Sequence, residues 1–437
     1  MSTFFARRRA IAVGRLSLIL ASAVLAATPA LALAQQAYRF ALDPSARAEG
    51  AVPIARTERY DPAKGYGFTD VKDGNEMSLA MKLAPGDYRV RVSLGAAQRQ
   101  TRTTLWAEDR RLMAAPVVLR PGEQRTVEFI VNVRNPALLK SEHDVTPTPA
   151  VRLLGDETRP DNRTWDERLT VAASGDVSAL RAIEVEPVSA RRIFLAGDST
   201  VTDQAGGDYA SWGQMLPRFL AGGVAVANHA RSGETMKSFV ASLRWDKLLS
   251  DARAGDILLI QFGHNDQKQQ WPRTYLDPDL GYPAWLRAFA AEATQRGMKV
   301  VLIAPVARRS FNAAGKITNT LAGYDSAVRK AAAELKLPFV DLTALTTTLY
   351  ETLGPAKSPL AFASKGADKT HHNAYGAWLI ANWVAGALTD PANGLDVKPS
   401  RDFAPFDPAK PPDPSNVELT PFDWPVMREQ VSAVSGS

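Results

Sequence analysis

The hydrophobic pattern of this chain changes at Pro187, and this change constrains the fold more than any other feature. Before Pro187, short runs such as 78–83 and 88–94 alternate apolar and polar residues, and turn residues lie between them at 85–87. Such runs are typical of antiparallel strands with one buried face, so these two predict a hairpin. The whole stretch predicts an antiparallel β-sandwich, with further strands at 117–119, 126–133, 168–172 and 182–185.

After Pro187 the apolar runs are short and continuous, which is typical of strands buried on both faces of a parallel sheet. They lie at 193–196, 224–227, 256–262, 299–304 and 339–342. Segments with helical periodicity lie between or after them, at 283–296, 321–335 and 373–388. This alternation predicts an α/β fold, a three-layer α/β/α arrangement with a mostly parallel five-stranded sheet.

Composition excludes several classes of protein. The chain has 437 residues and 45% apolar side chains, which is enough for two or three domains with large cores. It has no cysteine, so disulfides, thiol nucleophiles and thiolate metal sites are excluded. Imidazole chemistry is restricted to five histidines: His143, His229, His264, His371 and His372.

The first 34 residues have the pattern of a cleavable signal peptide. Four arginines precede an apolar run at 16–33, and Ala32-Leu33-Ala34 predicts cleavage after Ala34. The run is short and interrupted by Pro29, so an uncleaved membrane anchor is the weaker interpretation. Cleavage leaves 48 basic residues against 46 acidic ones without a basic stripe, which argues against nucleic-acid binding. We expect a secreted or periplasmic protein.

Five residues suggest acyl-transfer chemistry, and three of them follow predicted core strands. Ser199 follows the strand at 193–196 within Gly-Asp-Ser-Thr, where a serine is either an exposed nucleophile or a helix N-cap. A serine nucleophile needs a base held by a carboxylate, and Asp368 stands three residues before His371. The alternative for this pair is a helix cap with a surface histidine. Gly233 and Asn265 follow two other strands and are candidate oxyanion donors, or simply turn residues.

In this order, Ser199, Gly233, Asn265 and His371 resemble the four signature residues of the SGNH/GDSL hydrolases. The resemblance covers residues 191–390 and is strongest to the rhamnogalacturonan acetylesterases of carbohydrate esterase family twelve, through AGDSTV, SWGQMLPRF, RWDKLL, IQFGHNDQK and APVARRSF. It implies that Ser199 is the nucleophile, that Asp368 and His371 complete the triad, and that Ser199, Gly233 and Asn265 form the oxyanion hole. It also implies that no metal or organic cofactor is required.

The resemblance implies a domain order along the chain. We expect a signal peptide at 1–34, a galactose-binding-like β-sandwich accessory domain at 35–188 and an SGNH catalytic domain at 189–392. A Pro-rich tail at 393–437 is either an extended strap or disordered. The accessory domain either binds glycan or supports the active site. Nothing in the sequence predicts an oligomeric state.

Five further residues are candidate substrate contacts. Arg308 and Arg309 either bind a substrate carboxylate or form structural ion pairs, and Trp271 either stacks on a sugar or belongs to the core. His372 is either substrate-lining or structural. Glu234 stands where many pectin-acting relatives have a basic residue, so we expect it to repel galacturonate. His372, the residue after His371, stands where threonine is common in this family.

The leading hypothesis is a secreted serine esterase that removes O-acetyl groups from a plant cell-wall polysaccharide, with pectic rhamnogalacturonan as the favoured substrate. The first alternative is an esterase acting on xylan, xyloglucan, peptidoglycan or a lipid ester. The second is a carbohydrate-binding protein with an inactive hydrolase domain. The complete set of Ser199, Asp368 and His371 argues against this last hypothesis.

Overall fold

The computed structural model describes most of the chain after the predicted signal peptide. The described residues are 36–46, 49–72, 75–138, 149–159 and 162–417. The predicted signal peptide at 1–34, His143 and residues 418–437 of the predicted tail lie outside them. None of the helices in the described residues is both long and apolar enough to span a membrane.

Residues 36–188, here called the β-rich region, form two five-stranded sheets that pack face to face. One sheet has the order β2-β1-β10-β5-β8 and the other β3-β4-β9-β6-β7. All pairs are antiparallel except β1 with β2. The strands are β1 Tyr38–Ala41, β2 Val52–Pro53, β3 Tyr66–Lys72, β4 Glu76–Lys82, β5 Gly86–Gly95, β6 Thr101–Ala107, β7 Arg111–Leu119, β8 Gln124–Val133, β9 Arg168–Gly175 and β10 Leu180–Val188.

Alternation along β5 places Tyr88, Val90 and Val92 in the apolar core between the two sheets. The predicted hairpin is wrong, however, because β4 and β5 belong to different sheets. Residues 83–85 carry the chain across the sandwich, so that β5, which begins at Gly86, pairs with β8 and β10. Alternation marks one buried face in either arrangement, and therefore it does not distinguish a hairpin from two strands that face each other.

Residues 189–417, here called the α/β region, contain a parallel sheet of order β12-β11-β13-β14-β15 between two helical layers. This confirms the predicted fold class. The strands are β11 Arg191–Gly197, β12 Val224–Asn228, β13 Ile257–Gln261, β14 Lys299–Ile303 and β15 Phe339–Val340. The helices are α1 Trp212–Met215, α2 Met236–Ala241, α3 Arg244–Asp251, α4 Gly281–Gln295, α5 Tyr324–Leu335, α6 Leu342–Lys357 and α7 Ala374–Thr389.

The central strand β11 shows why these runs are continuously apolar. Ile193 and Leu195 pack into the cluster formed with α1, α6 and α7, whereas Phe194 and Ala196 pack into the cluster formed with α3, α4 and α5. Both faces of the strand are thus buried. In a sheet of this order, the connections leave β11 and β13 in opposite directions, so a crevice opens at their carboxyl ends.

The β-rich and α/β regions belong to one compact unit. Arg111 of β7 donates through Nε to Asp203 Oδ2 at 2.8 Å, and both side chains are buried. Gln214 donates to the carbonyl oxygen of Asp109 at 2.8 Å, and Arg192 donates to Asp87 at 2.9 Å. Buried polar groups on each side of this contact therefore find partners on the other side.

The Pro-rich segment after α7 runs back along that helix as an extended strap as far as residue 417. Backbone carbonyls of the segment accept hydrogen bonds from three α7 side chains: Tyr375 to Pro412 at 2.7 Å, Asn382 to Ala404 at 3.0 Å, and Trp383 to Phe406 at 3.2 Å. Of the two interpretations, the structure supports the strap for this part of the tail.

Candidate active site

Ser199, His371 and Asp368 form a continuous chain of hydrogen bonds at the carboxyl edge of the parallel sheet. Ser199 Oγ lies 2.9 Å from His371 Nε2, and His371 Nδ1 lies 2.9 Å from Asp368 Oδ2. These distances allow the imidazole to accept the serine proton while the carboxylate holds the opposite ring nitrogen. The geometry thus joins residues that are 172 positions apart in the sequence.

Local backbone geometry sets up both ends of this chain. Gly197 ends β11, and the Asp198 carboxylate accepts from the N–H of Thr200 at 2.9 Å, which fixes the turn that carries Ser199. At the other end, Asp368 Oδ1 accepts from the N–H groups of Thr370 and His371 at 2.6 and 2.8 Å. A turn of this kind brings a carboxylate and an imidazole three residues apart onto the same side.

The pKa of the Asp368 carboxyl is lowered from its ordinary value. Partial burial acts to raise this pKa, but the hydrogen bonds from the His371 side chain and from two backbone N–H groups lower it by more. Asp368 therefore remains ionised at neutral pH, as a group that supports an imidazolium must be.

The candidate oxyanion donors follow the two strands on either side of β11. Gly233 lies in the loop after β12 with φ +83°, a left-handed conformation that favours glycine. Asn265 follows β13, and its Nδ2 donates to the carbonyl oxygen of Glu234 at 3.0 Å. This bond ties the Gly233 loop to the Asn265 loop and uses one of the two amide hydrogens. In the described residues, the backbone N–H groups of Ser199 and Gly233 have no hydrogen-bond acceptor.

A buried Asp198–His264 pair links the Ser199 turn to the Asn265 turn, and the sequence analysis did not assign it. His264 Nδ1 lies 3.0 Å from Asp198 Oδ2, and His264 Nε2 lies 3.0 Å from the carbonyl oxygen of Val306. The pKa of Asp198 is lowered, because the charge and hydrogen bond of His264 outweigh its burial. The sequence could have suggested this pair, because Asp198 directly precedes Ser199 and His264 directly precedes Asn265.

A second buried carboxyl, Asp266, lies beneath the same loops. It accepts from the N–H groups of Met236 and Gly263 at 3.0 and 2.9 Å. Burial raises its pKa to about 7, with the nearby Asp198 charge acting in the same direction. Asp266 thereby connects the start of α2 with the end of β13, which fixes the spacing between the two candidate oxyanion loops.

Two cations lie beside Asn265 without a carboxylate partner among the described residues. Lys268 Nζ donates to Asn265 Oδ1 at 2.9 Å, and Arg308 donates to Thr370 Oγ1 at 3.1 Å and to the carbonyl oxygen of His264 at 3.3 Å. Burial lowers the pKa of both groups. Since their protein contacts are neutral, an anion close to them would be favoured.

Arg309 has a different position from its neighbour. Its guanidinium donates to the carbonyl oxygens of Gly366 and Asp368 at 2.6 and 3.1 Å and lies over the Phe362 ring. It therefore stabilises the turn that carries Asp368 through hydrogen bonds to backbone carbonyls.

Glu234 is turned away from the open edge of the sheet. Its side chain is 5% exposed, its Oε1 lies 3.4 Å from Arg244 Nε, and its Oε2 accepts from Ser238. The expectation that Glu234 repels galacturonate is therefore wrong. The local sequence shows an acid beside Gly233, but only the fold shows that it points inward and meets an arginine.

His372 and Trp271, the last two candidate contacts, have opposite environments. His372 is 2% exposed, and its Nε2 lies 2.6 Å from the Tyr350 hydroxyl, so it is structural and does not line the crevice. Burial lowers its pKa to about 3. Trp271 is 47% exposed, with the Lys268 ammonium 4.3 Å from its ring centre. Its ring is available to a ligand beside the two cations.

Across residues 36–417, excluding the undescribed gaps, no three or more His, Asp or Glu side chains are arranged to hold a metal ion.

Comparison with known proteins identifies the family of the α/β region. The model of the GDSL-like lipase/acylhydrolase family matches residues 195–379. Rhamnogalacturonan acetylesterase RhgT of Bacillus subtilis is 36% identical over 212 residues, which are 46% of this chain and 90% of RhgT. The chain belongs to this GDSL family. The predictions of an SGNH/GDSL hydrolase and of a carboxylic ester hydrolase are confirmed.

Two other B. subtilis proteins are similar to this GDSL hydrolase. The probable rhamnogalacturonan acetylesterase YesY is 34% identical over 209 residues, which are 46% of this chain and 94% of YesY. The crystal structure of YxiM is 21% identical and covers 82% of this chain and 99% of its own, with a TM-score of 0.45.

Proposed function

We propose that this protein is a secreted serine esterase that removes O-acetyl groups from a plant cell-wall polysaccharide, with pectic rhamnogalacturonan as its substrate. The observation that carries the proposal is the hydrogen-bonded chain from Ser199 through His371 to Asp368, with two contacts of 2.9 Å. A serine with an oriented imidazole base is the arrangement that acyl transfer requires.

In the first half of the reaction, Ser199 Oγ attacks the acetyl carbonyl carbon and His371 Nε2 takes the serine proton. The negative charge on the carbonyl oxygen is stabilised by the N–H groups of Ser199 and Gly233 and by the free amide hydrogen of Asn265. The ester C–O bond then breaks. His371 returns the proton to the departing sugar oxygen, which leaves an acetylated Ser199 and a free sugar hydroxyl.

In the second half, a water molecule attacks the acetyl-enzyme. His371 takes a proton from the water, and the bond between the acetyl carbon and Ser199 Oγ breaks as that proton passes to Oγ. Acetate leaves and Ser199 is regenerated. Asp368 remains ionised throughout and supports the imidazolium in both halves.

The choice of an acidic polymer rests on two lines of support. RhgT and YesY, the relatives at 36% and 34% identity, are named as a rhamnogalacturonan acetylesterase and a probable one. In addition, Lys268 and Arg308 lie beside Asn265 with neutral protein contacts, and Glu234 is turned inward. This arrangement favours a galacturonate carboxylate near the acetyl group.

Acetate release tests both parts of the proposal. Ser199→Ala is expected to lower kcat by a factor on the order of 10⁶ without unfolding the protein, whereas Ser250→Ala, a matched serine control on α3, retains activity. Retained activity in Ser199→Ala would remove this residue from the mechanism. The wild-type protein is expected to release acetate faster from acetylated rhamnogalacturonan than from acetylated xylan. The reverse order would support the alternative of an esterase that acts on xylan.

Secretion is supported by the basic and apolar pattern of residues 1–34. Expression of the full chain in a bacterial host with a secretion pathway is expected to yield a mature protein that begins at Gln35. Mass spectrometry that finds the intact N-terminus on the exported protein would contradict cleavage after Ala34.

A further inference from the structure

A cleft lies where the β-rich region meets the carboxyl edge of the parallel sheet. The cleft is small and polar, with a volume of about 30 Å³ for water-sized groups. Side chains of both regions line it: Asp109, Asn162 and Thr164 from the β-rich region, and Gln204, Arg231 and Ser232 from the α/β region. Nothing in the proposed acyl-transfer steps uses these residues.

The cleft adjoins the groups that carry out the proposed reaction. Gln204 Nε2 donates to the carbonyl oxygen of Ser199 at 2.7 Å, and Ser232 immediately precedes Gly233. A polymer whose acetyl group is held at Ser199 therefore has its neighbouring residue within reach of this cleft.

The walls of the cleft are held in place by contacts between the two regions. The carbonyl oxygen of Asp109 accepts from Gln214 at 2.8 Å, and Glu157 accepts from Arg231 at 2.8 Å. Arg111 and Asp203 form a buried ion pair behind them. Such a pre-formed site loses little conformational entropy when a ligand binds.

The lining can form hydrogen bonds with hydroxyl groups and is already rich in acids. Asp109 Oδ2 accepts from Thr164 Oγ1 at 2.5 Å, while Oδ1 has no hydrogen-bond donor in the part of the chain that the structure describes. Asp203 and Glu157 are neutralised by arginines. A sugar hydroxyl can donate to Asp109 Oδ1, whereas a sugar carboxylate would meet like charge.

Strand order places this cleft and the cations Lys268 and Arg308 on opposite sides of Ser199. The cleft lies beside the loop after β12, whereas Lys268 and Arg308 follow β13 and β14, and β11 stands between β12 and β13. A backbone in which neutral and acidic sugars alternate can thus place an acidic residue near the cations and a neutral residue at the cleft.

We propose that the cleft is a subsite for a hydroxyl group of the neutral sugar next to the acetylated residue, and that Asp109 Oδ1 accepts a hydrogen bond from that hydroxyl. The β-rich region would thereby bind substrate directly as well as support the active site. This inference rests on the proposed function, since it assumes that the polymer crosses Ser199.

The test is a binding measurement that does not depend on hydrolysis. Deacetylated rhamnogalacturonan oligosaccharide is titrated calorimetrically into the full-length mature protein and into Asp109→Asn. Loss of one hydrogen bond to a charged acceptor is expected to weaken binding about tenfold. Asp246→Asn, which changes an exposed aspartate on α3, is the matched control and is expected to bind as the wild type does.

A second variant keeps the test valid if Asp109→Asn does not fold. Ser232 is exposed at the cleft, so Ser232→Gln adds volume there without disturbing a core. It is expected to weaken oligosaccharide binding and to lower kcat/KM for acetylated rhamnogalacturonan relative to kcat/KM for 4-nitrophenyl acetate. Unchanged binding in the folded variants, or no binding by the wild type, would overturn the subsite. These outcomes differ from failure of the proposed function, which would appear as acetate release that persists in Ser199→Ala.

Discussion

The buried Arg111–Asp203 ion pair offers a direct test of how the two regions depend on each other. Arg111 lies on β7 of the β-rich region, Asp203 lies in the loop after Ser199, and their side chains are 2% and 3% exposed. Arg111→Met keeps much of the volume of the side chain but leaves the Asp203 carboxylate buried. Among the described residues, its remaining hydrogen-bond partner is then Asn228 Nδ2 at 2.8 Å.

The magnitude follows from this burial. Breaking a buried ion pair by removing one partner typically costs about 3–5 kcal/mol, because the other charge stays desolvated and uncompensated. The double variant Arg111→Met/Asp203→Asn removes both charges, and its unfolding free energy is expected to lie within about 2 kcal/mol of the wild type. As a control, Arg287→Met removes an exposed ion pair with Glu334 and is expected to cost about 0–1 kcal/mol.

The assay is guanidinium unfolding of each variant, followed by tryptophan fluorescence and by esterase activity on the same samples. If the ion pair makes the β-rich and α/β regions unfold as one cooperative unit, the fluorescence and activity transitions of Arg111→Met shift together to lower guanidinium concentration. The double variant then recovers most of the lost unfolding free energy. A single variant as stable as Arg287→Met would refute the reasoning, as would a double variant no more stable than Arg111→Met.

Three further predictions concern the active site and its support. Asp368→Asn is expected to lower kcat about 10⁴-fold in a folded protein, because His371 Nδ1 loses its carboxylate; a smaller loss in a stopped assay of acetate release would argue against this role. Gly233→Ala is expected to lower the free energy of unfolding in urea by about 1–2 kcal/mol, because φ at this position is +83°. It is also expected to lower kcat, because the N–H of residue 233 moves. Wild-type values for both quantities would contradict this prediction. The pKa of His372 is about 3 in the folded protein and about 6.5 in the unfolded chain, so the unfolded chain takes up the proton first as the pH drops. The free energy of unfolding therefore falls between these two pH values, by roughly 1.4 kcal/mol per pH unit. Urea unfolding of His372→Gln across this range should lack this dependence on pH.

The sequence was informative wherever a local pattern has one structural solution. Continuous apolar runs predicted all five strands of the parallel sheet, since only burial on both faces explains them. It was less informative for the β-rich region, where alternation located β4 and β5 but assigned them to a hairpin. The helix α6 was not predicted at all, because threonines and a Gly-Pro pair interrupt its apolar pattern.

By itself, the sequence determined the fold class of the α/β region, because continuous apolar runs indicate strands buried on both faces. It also predicted Ser199, Gly233, Asn265, Asp368 and His371 as site residues, through their resemblance to the signature residues of the SGNH/GDSL hydrolases. Only the tertiary structure decided where individual charges point. Glu234 turns inward to Arg244, Asp198 meets His264, and Asp109 reaches the edge of the catalytic sheet from another region. The direction of a side chain depends on contacts between segments that are distant in sequence, and no local pattern encodes those contacts.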